Sequence, residues 1–314
     1  MNRLMFMKKE DLQSVLGHDQ LEIYLESKDY SVSKEPFTLM LDKQSDLLIT
    51  HPKPLPSQLP KYYESDAYIS HTDGNQTIIE RVYQIVKGIA IKNKVRLVGN
   101  WIQEEELLLD VGCGTGDFLK ACVANKWNGL GIEPNNAAKN LAIQKLGLER
   151  ASAIFSNLEE LLEKNNSKQL KGKFSVITLW HVLEHVPEPL DYLKKLKDLL
   201  KPNGRIILAL PNYKSHDAVH YGNFWAAYDL PRHLFHFSKK SVSFFAGKAN
   251  MKVENVLPMP FDAFYVSLLS EKYAKGKTNY FAALYRGIVS NRKAKSSGEY
   301  SSLIYILKTE QNSI

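Results

Sequence analysis

The chain has 314 residues, of which 44% are hydrophobic and 24% charged, a composition typical of a folded soluble protein and not of a disordered one. Its formal net charge of +7 comes from dispersed basic residues, so contact with nucleic acid is permitted but not expected. The two cysteines, Cys113 and Cys122, are too few for a disulfide framework, and no apolar run is long enough for a signal peptide or a membrane span. We therefore expect a cytoplasmic protein without a transmembrane span.

Residues 1–76 mix short apolar runs with turn signals, and we predict that they form an N-terminal extension and not an autonomous domain. The runs 37–41 and 46–50 could pair as strands. An aromatic cluster follows, and its Tyr63 or Tyr68 could close over a bound ligand. The alternative is ordinary loop packing.

Residues 77–314 are predicted to form one α/β domain, because strand-like and helix-like segments alternate from 77 to 258. This alternation predicts a mostly parallel sheet with helices on both faces. The part from 259 to 314 is predicted to add a helical tract and a last strand. The predicted strands are 107–111, 130–132, 153–155, 174–179, 205–210, 252–257 and 303–307, and an amphipathic helix at 189–200 is closed by a turn at 201–204.

The most informative motif is a buried strand, Leu107–Val111, that runs into glycines at alternate positions, Gly112, Gly114 and Gly116. Glycines allow the backbone to turn sharply and to approach a ligand without interference from a Cβ atom. The helix that follows presents its N-terminal amide groups to that ligand. Asp110, near the strand end, completes a motif that predicts a nucleotide-cofactor site.

The glycine spacing is G-x-G-x-G, whereas a dinucleotide fingerprint would be G-x-G-x-x-G, and here Asp117 occupies the position of the third dinucleotide glycine. Asp110 would repel a pyrophosphate and would suit a cationic ligand that carries an ammonium and a sulfonium group. Glu133, at the end of the second predicted strand, can accept hydrogen bonds from both ribose hydroxyls. Together these features favour a cofactor site over the alternative, which is a purely structural glycine turn with two acidic residues that have no role in binding.

With these residues in hand, Asp110–Gly116, Glu133 and the segment 174–187 resemble the class I S-adenosylmethionine-dependent methyltransferases, in particular the ubiquinone-biosynthesis O-methyltransferases and their bacterial relatives. The resemblance covers about residues 85–258. It implies a Rossmann-like, doubly wound sheet of seven strands, mostly parallel, with 303–307 as the one antiparallel strand. The implied contacts to S-adenosylmethionine are Asp110, Gly112, Cys113, Gly114, Gly116, Glu133, Asn157 (where an acid is more usual), Trp180 and Tyr63.

The fourth strand leads to His181, Glu184 and His185, which would share one face of a helical turn and could bind a divalent metal. In the quinone O-methyltransferases that this chain resembles, the first of the three positions is usually Glu and the trio is linked to a metal. Because His181 replaces that Glu here, we expect no metal, and we expect Glu184 and His185 to cap the turn and position the loop.

An insertion at 211–237 is rich in aromatic residues, which could line a pocket for a flat or apolar acceptor or form a small satellite core. Within it, His233 and His236 are candidate general bases, with His181 as the next candidate. Arg232 could orient an anionic acceptor or pair with Asp229.

The resulting hypothesis is an S-adenosylmethionine-dependent methyltransferase that acts on the oxygen or carbon of a small-molecule acceptor. The motif Asn/Asp-Pro-Pro-aromatic of many amino methyltransferases is absent after Leu179, and no RNA-binding module is visible. The alternatives are a noncatalytic cofactor-binding protein, an RNA methyltransferase and, ranked lowest, a nicotinamide-dependent oxidoreductase.

Overall fold

The computed structural model describes residues 16–18, 20–63, 78–148, 153–165 and 167–310, with side chains in the first helix described from residue 84. Tyr68, one of the two residues predicted to close over the cofactor, lies outside the described residues. Within these ranges no helix combines the length and the apolar character needed to cross a bilayer.

The strands are β1 (Leu21–Lys28), β2 (Pro36–Asp42), β3 (Leu47–His51), β4 (Leu107–Val111), β5 (Asn128–Ile132), β6 (Ile154–Phe155), β7 (Phe174–Trp180), β8 (Leu200–Pro211), β9 (Phe235–His236), β10 (Met251–Pro258) and β11 (Ser302–Thr309). The α-helices are α1 (Ile78–Val98), α2 (Asp117–Ala124), α3 (Asn136–Leu146), α4 (Leu158–Lys164), α5 (Ser167–Leu170), α6 (Pro189–Leu199), α7 (His216–Tyr221), α8 (Lys239–Lys248), α9 (Asp262–Lys275) and α10 (Tyr280–Ser297).

The main sheet has seven strands in the order β10-β11-β8-β7-β4-β5-β6. The pairs from β8 to β6 are parallel, whereas β11 is antiparallel to both β8 and β10. The central strand β7 is buried along nearly its whole length, as expected for a parallel strand covered on both faces. The predicted Rossmann-like sheet with a single antiparallel strand is therefore confirmed.

The strand β8 is longer than predicted. The helix α6 ends at Leu199, because Leu200 already has extended backbone angles and pairs with Phe174. Pairing resumes with Val176 opposite Arg205, so the predicted turn at 201–204 is an irregularity within the strand and not a separate connection. Local turn residues indicated an interruption at this point, but only the neighbouring strand shows that pairing continues on both sides of it.

The N-terminal extension folds onto the insertion. The strands β1, β2, β3 and β9 form a second, four-stranded sheet, and the predicted pairing of 37–41 with 46–50 is confirmed in the antiparallel pair β2–β3. The insertion supplies β9, whose His236 lies opposite Leu48. The aromatic rings of the insertion pack against this sheet as a satellite core, one of the two readings of the sequence. Its largest members are Phe37, Tyr62, Tyr213, Tyr221, Trp225 and Tyr228.

Candidate cofactor and acceptor site

The glycine loop between β4 and α2 contains two closely packed glycines, Gly112 and Gly116, and one, Gly114, that faces open space. Gly116 has φ +79°, and a Cβ atom there would lie 2.9 Å from Cβ of Ala142, so α3 can approach only because the side chain is absent. Gly114 has φ +55°, and a Cβ atom there would meet none of the described residues within 4 Å. The loop therefore leaves room for a ligand directly over Gly114.

Asp110 lies at the carboxyl end of β4 and is 2% exposed. Its Oδ1 accepts a hydrogen bond of 2.7 Å from Thr178 Oγ1 on β7. Burial raises the pKa of Asp110 to about 7, although the Thr178 hydrogen bond and the positive charge of Lys94 act in the opposite direction. A cationic ligand would stabilise the ionised form of this carboxyl group.

Glu133 follows β5 and is tied to the glycine loop. One carboxylate oxygen accepts the backbone N–H of Gly114 and the other that of Asn135, both at 2.8 Å. Burial raises the pKa of Glu133, and these two hydrogen bonds lower it. The neighbouring Cys113 is buried, and desolvation raises the pKa of its thiol, so the thiol stays protonated at neutral pH.

Two further candidates for cofactor contact lie at the ends of β6 and β7. Asn157 caps α4, where its side-chain oxygen accepts the backbone N–H of Glu160 at 2.8 Å. Trp180 packs edge-on against Phe118, with ring centroids 5.6 Å apart, and its buried indole Nε1 has no hydrogen-bond partner in the part of the chain that the structure describes. The contacts of Asn157 and Trp180 with the cofactor stay predictions.

Tyr63 lies beside His185. Its hydroxyl is 3.1 Å from Nδ1 of His185, in the turn that follows β7. The structure therefore brings the end of the N-terminal extension to the residues after β7, and the cofactor contact that the resemblance implies for Tyr63 stays a prediction.

His181 is held between two carboxylates. Its Nε2 lies 3.0 Å from Oδ2 of Asp262, and its Nδ1 lies 3.4 Å from Oε1 of Glu184. Burial on its own would lower the pKa of His181, but the two carboxylates raise it to about 9. His181 is therefore a cation at neutral pH, a state in which it cannot accept a proton.

His233 and His236 differ in their partners, although both are buried. His236 Nε2 lies 3.2 Å from Oγ1 of Thr50, within the small sheet. His233 Nδ1 lies 2.9 Å from the carbonyl oxygen of Ala227. Burial lowers the pKa of both histidines, that of His233 to about 4, so both are neutral at pH 7.

The three residues at 181, 184 and 185 do not form the cluster that their spacing indicated. Instead, ligand-type atoms of Glu184, His185 and His233 all lie within 4.8 Å of one another, while His181 faces Asp262. These three residues could hold a metal ion.

Sequence reasoning missed Lys94 and Asp262. Lys94 Nζ lies 4.3 Å from the centroid of the Trp180 ring; burial lowers the pKa of Lys94, whereas nearby Asp110 and Asp262 raise it. Lys94 belongs to a helix with apolar spacing, and Asp262 is the first residue of α9, where an acid is common for helix-dipole reasons. Nothing in the local sequence distinguished either residue from a solvated side chain.

The chain is similar in sequence to curated bacterial methyltransferases. A ubiquinone biosynthesis O-methyltransferase of Pseudomonas aeruginosa (strain UCBPP-PA14) is 30% identical over 118 residues, which are 36% of this chain and 50% of that protein. The protein of the same name from Acinetobacter baylyi is 28% identical over 126 residues, 38% of this chain and 51% of that protein. The chain thus spans about half the length of the curated relatives it matches.

Among solved structures, magnesium protoporphyrin IX methyltransferase (ChlM) from Synechocystis PCC 6803 is similar with a TM-score of 0.51 and 14% identity, over 81% of this chain and 100% of that one. At this identity the likeness shows the fold alone. A family model described as a methyltransferase domain matches residues 86–256, more than half of the chain. The chain therefore belongs to the methyltransferase-domain family.

Proposed function

We propose that this chain transfers the methyl group of S-adenosylmethionine to an oxygen or carbon atom of a small-molecule acceptor. The observation that carries the proposal is the arrangement at the ends of β4 and β5, where Asp110 is buried beneath a loop whose Gly114 amide is bonded to Glu133. The names of the curated relatives, which are O-methyltransferases, support the same reaction class.

Each residue of this arrangement suits one part of the cofactor. Asp110 would neutralise the cationic end, which carries the ammonium and sulfonium groups. Each oxygen of Glu133 accepts one backbone N–H and retains a lone pair for a ribose hydroxyl. The open space over Gly114 would take the part of the ligand that passes closest to the backbone. When bound, the cofactor supplies the electrophilic methyl group, and the protein supplies alignment.

On the acceptor side, the three candidate histidines have different capacities. Both ring nitrogens of His181 face carboxylates, so we assign it the positioning of Asp262 and Glu184 and not proton transfer. His236 is engaged with Thr50, and we assign it a structural role. His233 donates Nδ1–H to a backbone carbonyl and keeps an unprotonated Nε2. Of the three, His233 is therefore the candidate base, because its unprotonated Nε2 belongs to a ring that packs against His185 in the turn after β7.

The cofactor proposal is tested by calorimetric titration of the full chain with S-adenosylmethionine. Gly114→Val should abolish binding, because its side chain would fill the space left for the ligand. Gly276→Val is the matched control, since Gly276 also has positive φ and open surroundings but lies at the end of α9. Equal affinity for the wild type and Gly114→Val, or tight binding of a nicotinamide dinucleotide in place of S-adenosylmethionine, would contradict the proposal.

The acceptor class is tested with methyl-labelled S-adenosylmethionine and a cell extract that is separated afterwards into small-molecule, RNA and protein fractions. We expect enzyme-dependent label in the small-molecule fraction. Label confined to RNA would favour the RNA methyltransferase alternative. Binding without any transfer would favour a noncatalytic cofactor-binding protein.

A further inference from the structure

We propose that Glu184, His185 and His233 form a binding site for one divalent transition-metal ion of the zinc type. The ligand atoms of these residues lie within 4.8 Å of one another, so a single ion among them is reached by small side-chain adjustments. The site joins the turn after β7 to the insertion, and it differs from the trio that sequence spacing suggested, because His233 takes the place of His181.

The first argument is the state of the Glu184 carboxylate. Its side chain is 1% exposed, and neither oxygen accepts a hydrogen bond from any residue that the structure describes. His181 forms an ion pair with it at 3.4 Å, between Nδ1 and Oε1, but lies closer to Asp262, whose Oδ2 is 3.0 Å from Nε2. A buried carboxylate is costly unless a cation compensates it, and here one histidinium, His181, is shared by two carboxylates, Glu184 and Asp262. An ion bound between Glu184 and the two histidines supplies that compensation.

The second argument is the tautomer of each histidine. Nδ1 of His185 lies 2.9 Å from the carbonyl oxygen of Arg232, and Nδ1 of His233 lies 2.9 Å from that of Ala227. A carbonyl oxygen only accepts hydrogen bonds, so both Nδ1 atoms carry a proton, and Nε2 is the atom of each ring that can bind an ion. Donation of Nδ1–H to a backbone carbonyl is the usual way in which a metal-binding histidine is oriented.

The third argument is that the two segments are fixed relative to each other before any ion binds. The backbone N–H of Leu234 donates a hydrogen bond of 2.8 Å to the carbonyl oxygen of Glu184. The rings of His185 and His233 lie edge to face, with centroids 4.6 Å apart. The ligand residues are therefore held together by the backbone and by ring packing.

The donor set determines which ion the site prefers. Two imidazoles and one carboxylate suit zinc, iron or cobalt, whereas Mg²⁺ prefers oxygen ligands and retains its water. Three protein ligands leave a coordination position for water or for an oxygen of the acceptor. If Nε2 of His233 binds an ion it cannot also accept a proton, so this inference replaces the hypothesis that His233 is the general base.

The test is metal binding by the full chain after treatment with a chelator and dialysis. Titration with Zn²⁺ by calorimetry, and with Co²⁺ by visible absorption, should show one ion per chain, and excess Mg²⁺ should not compete. Glu184→Gln and His233→Gln should each weaken Zn²⁺ binding by more than about 100-fold. His236→Gln is the matched control, a buried histidine of the same insertion outside the cluster, and should bind as the wild type does.

Circular dichroism and binding of S-adenosylmethionine check that each variant is folded, and His233→Gln carries the test if Glu184→Gln does not fold. Added Zn²⁺ should also raise the melting temperature of the wild type and of His236→Gln but not of the two ligand variants. The proposal is wrong if the wild type binds neither Zn²⁺ nor Co²⁺, if the folded ligand variants bind as tightly as the wild type, or if Mg²⁺ competes equally. The loss of Zn²⁺ binding with intact cofactor binding would concern this site alone, so it is distinguishable from a failure of the proposed function.

Discussion

Asp110 is the residue on which the proposed cofactor site depends most, because its ionisation is linked to its burial. The pKa of its carboxyl group rises from 3.8 to about 7 on folding, mainly through desolvation. Between these two values the folded chain holds a proton that the unfolded chain has released. The contribution of Asp110 to stability is therefore lost progressively as the pH rises from about 4 to about 7.

This linkage predicts a proton release when the cofactor binds. A cationic ligand favours the carboxylate, so the affinity for S-adenosylmethionine should increase as the pH rises towards 7 and level off above it. Calorimetry near pH 6.5 in two buffers of different ionisation enthalpy measures the released proton. In the ligand-free protein, Asp110→Asn should remove the fall in melting temperature between pH 4 and 7 that this carboxyl causes. An affinity that is independent of pH between 5 and 8 would show that Asp110 is already ionised.

At the scale of secondary-structure elements, the packing of α9 on α10 depends on a small residue. The buried face of α10 consists of Ala283, Gly287, Ser290 and Ala294. A Cβ atom at Gly287 would lie 2.5 Å from Cδ1 of Phe264 on α9. Glycine inside a helix normally lowers stability. Here it allows α10 to pack closely against Phe264 of α9, which explains why glycine occupies this position.

We expect Gly287→Ala to destabilise the protein by about 1–3 kcal/mol, because the added methyl group overpacks the contact with Phe264. Gly88→Ala in α1 is the matched control, since a Cβ atom there meets nothing within 4 Å. That control should stabilise the protein by about 0.5–1 kcal/mol through helix propensity. Urea unfolding measures both changes, and a stabilising Gly287→Ala would mean that Phe264 moves aside at little cost.

At the scale of the whole molecule, Arg232 connects the N-terminal extension to the insertion. Its Nη2 lies 2.7 Å from Oδ1 of Asp229 and 3.3 Å from Oδ1 of Asp29, and its Nη1 donates to the carbonyl oxygen of Tyr62 at 2.8 Å. The predicted pairing with Asp229 is therefore confirmed. With these contacts made, the role in orienting an anionic acceptor is the weaker of the two readings of Arg232.

Asp29 makes this junction sensitive to acid. Burial raises the pKa of Asp29, but hydrogen bonds from the backbone amides of Ser33 and Val32 and the charge of Arg232 lower it, to about 2. Its stabilising effect is present above the unfolded value of 3.8 and is lost as the pH falls towards 2. Asp29→Asn should cost about 1–3 kcal/mol at neutral pH, and this difference from the wild type should shrink between pH 4 and 2. Urea unfolding across that range measures the difference, and a constant difference would contradict the assignment.

The cofactor half of the site could be predicted from sequence because its parts are local. A buried strand, a glycine turn and a helix follow one another directly from Leu107 to Ala124, and Glu133 comes at the end of the next strand. The alternation of strands and helices likewise predicted the sheet, since parallel strands need crossover connections. The antiparallel position of 303–307 came from the resemblance to a family and not from any local pattern.

The acceptor half depended on contacts between segments that are far apart in the chain. His233 meets Glu184 and His185 because β9 pairs with β3 of the extension and the residue before it bonds to the turn after β7. His181 was separated from that trio by Asp262, which begins a helix near the end of the chain. Periodicity and spacing report which residues share a face of one element. Packing decides which buried charges meet across elements. Such charge pairs become strong only when both segments are in place, because the folded interior has a lower dielectric constant than water.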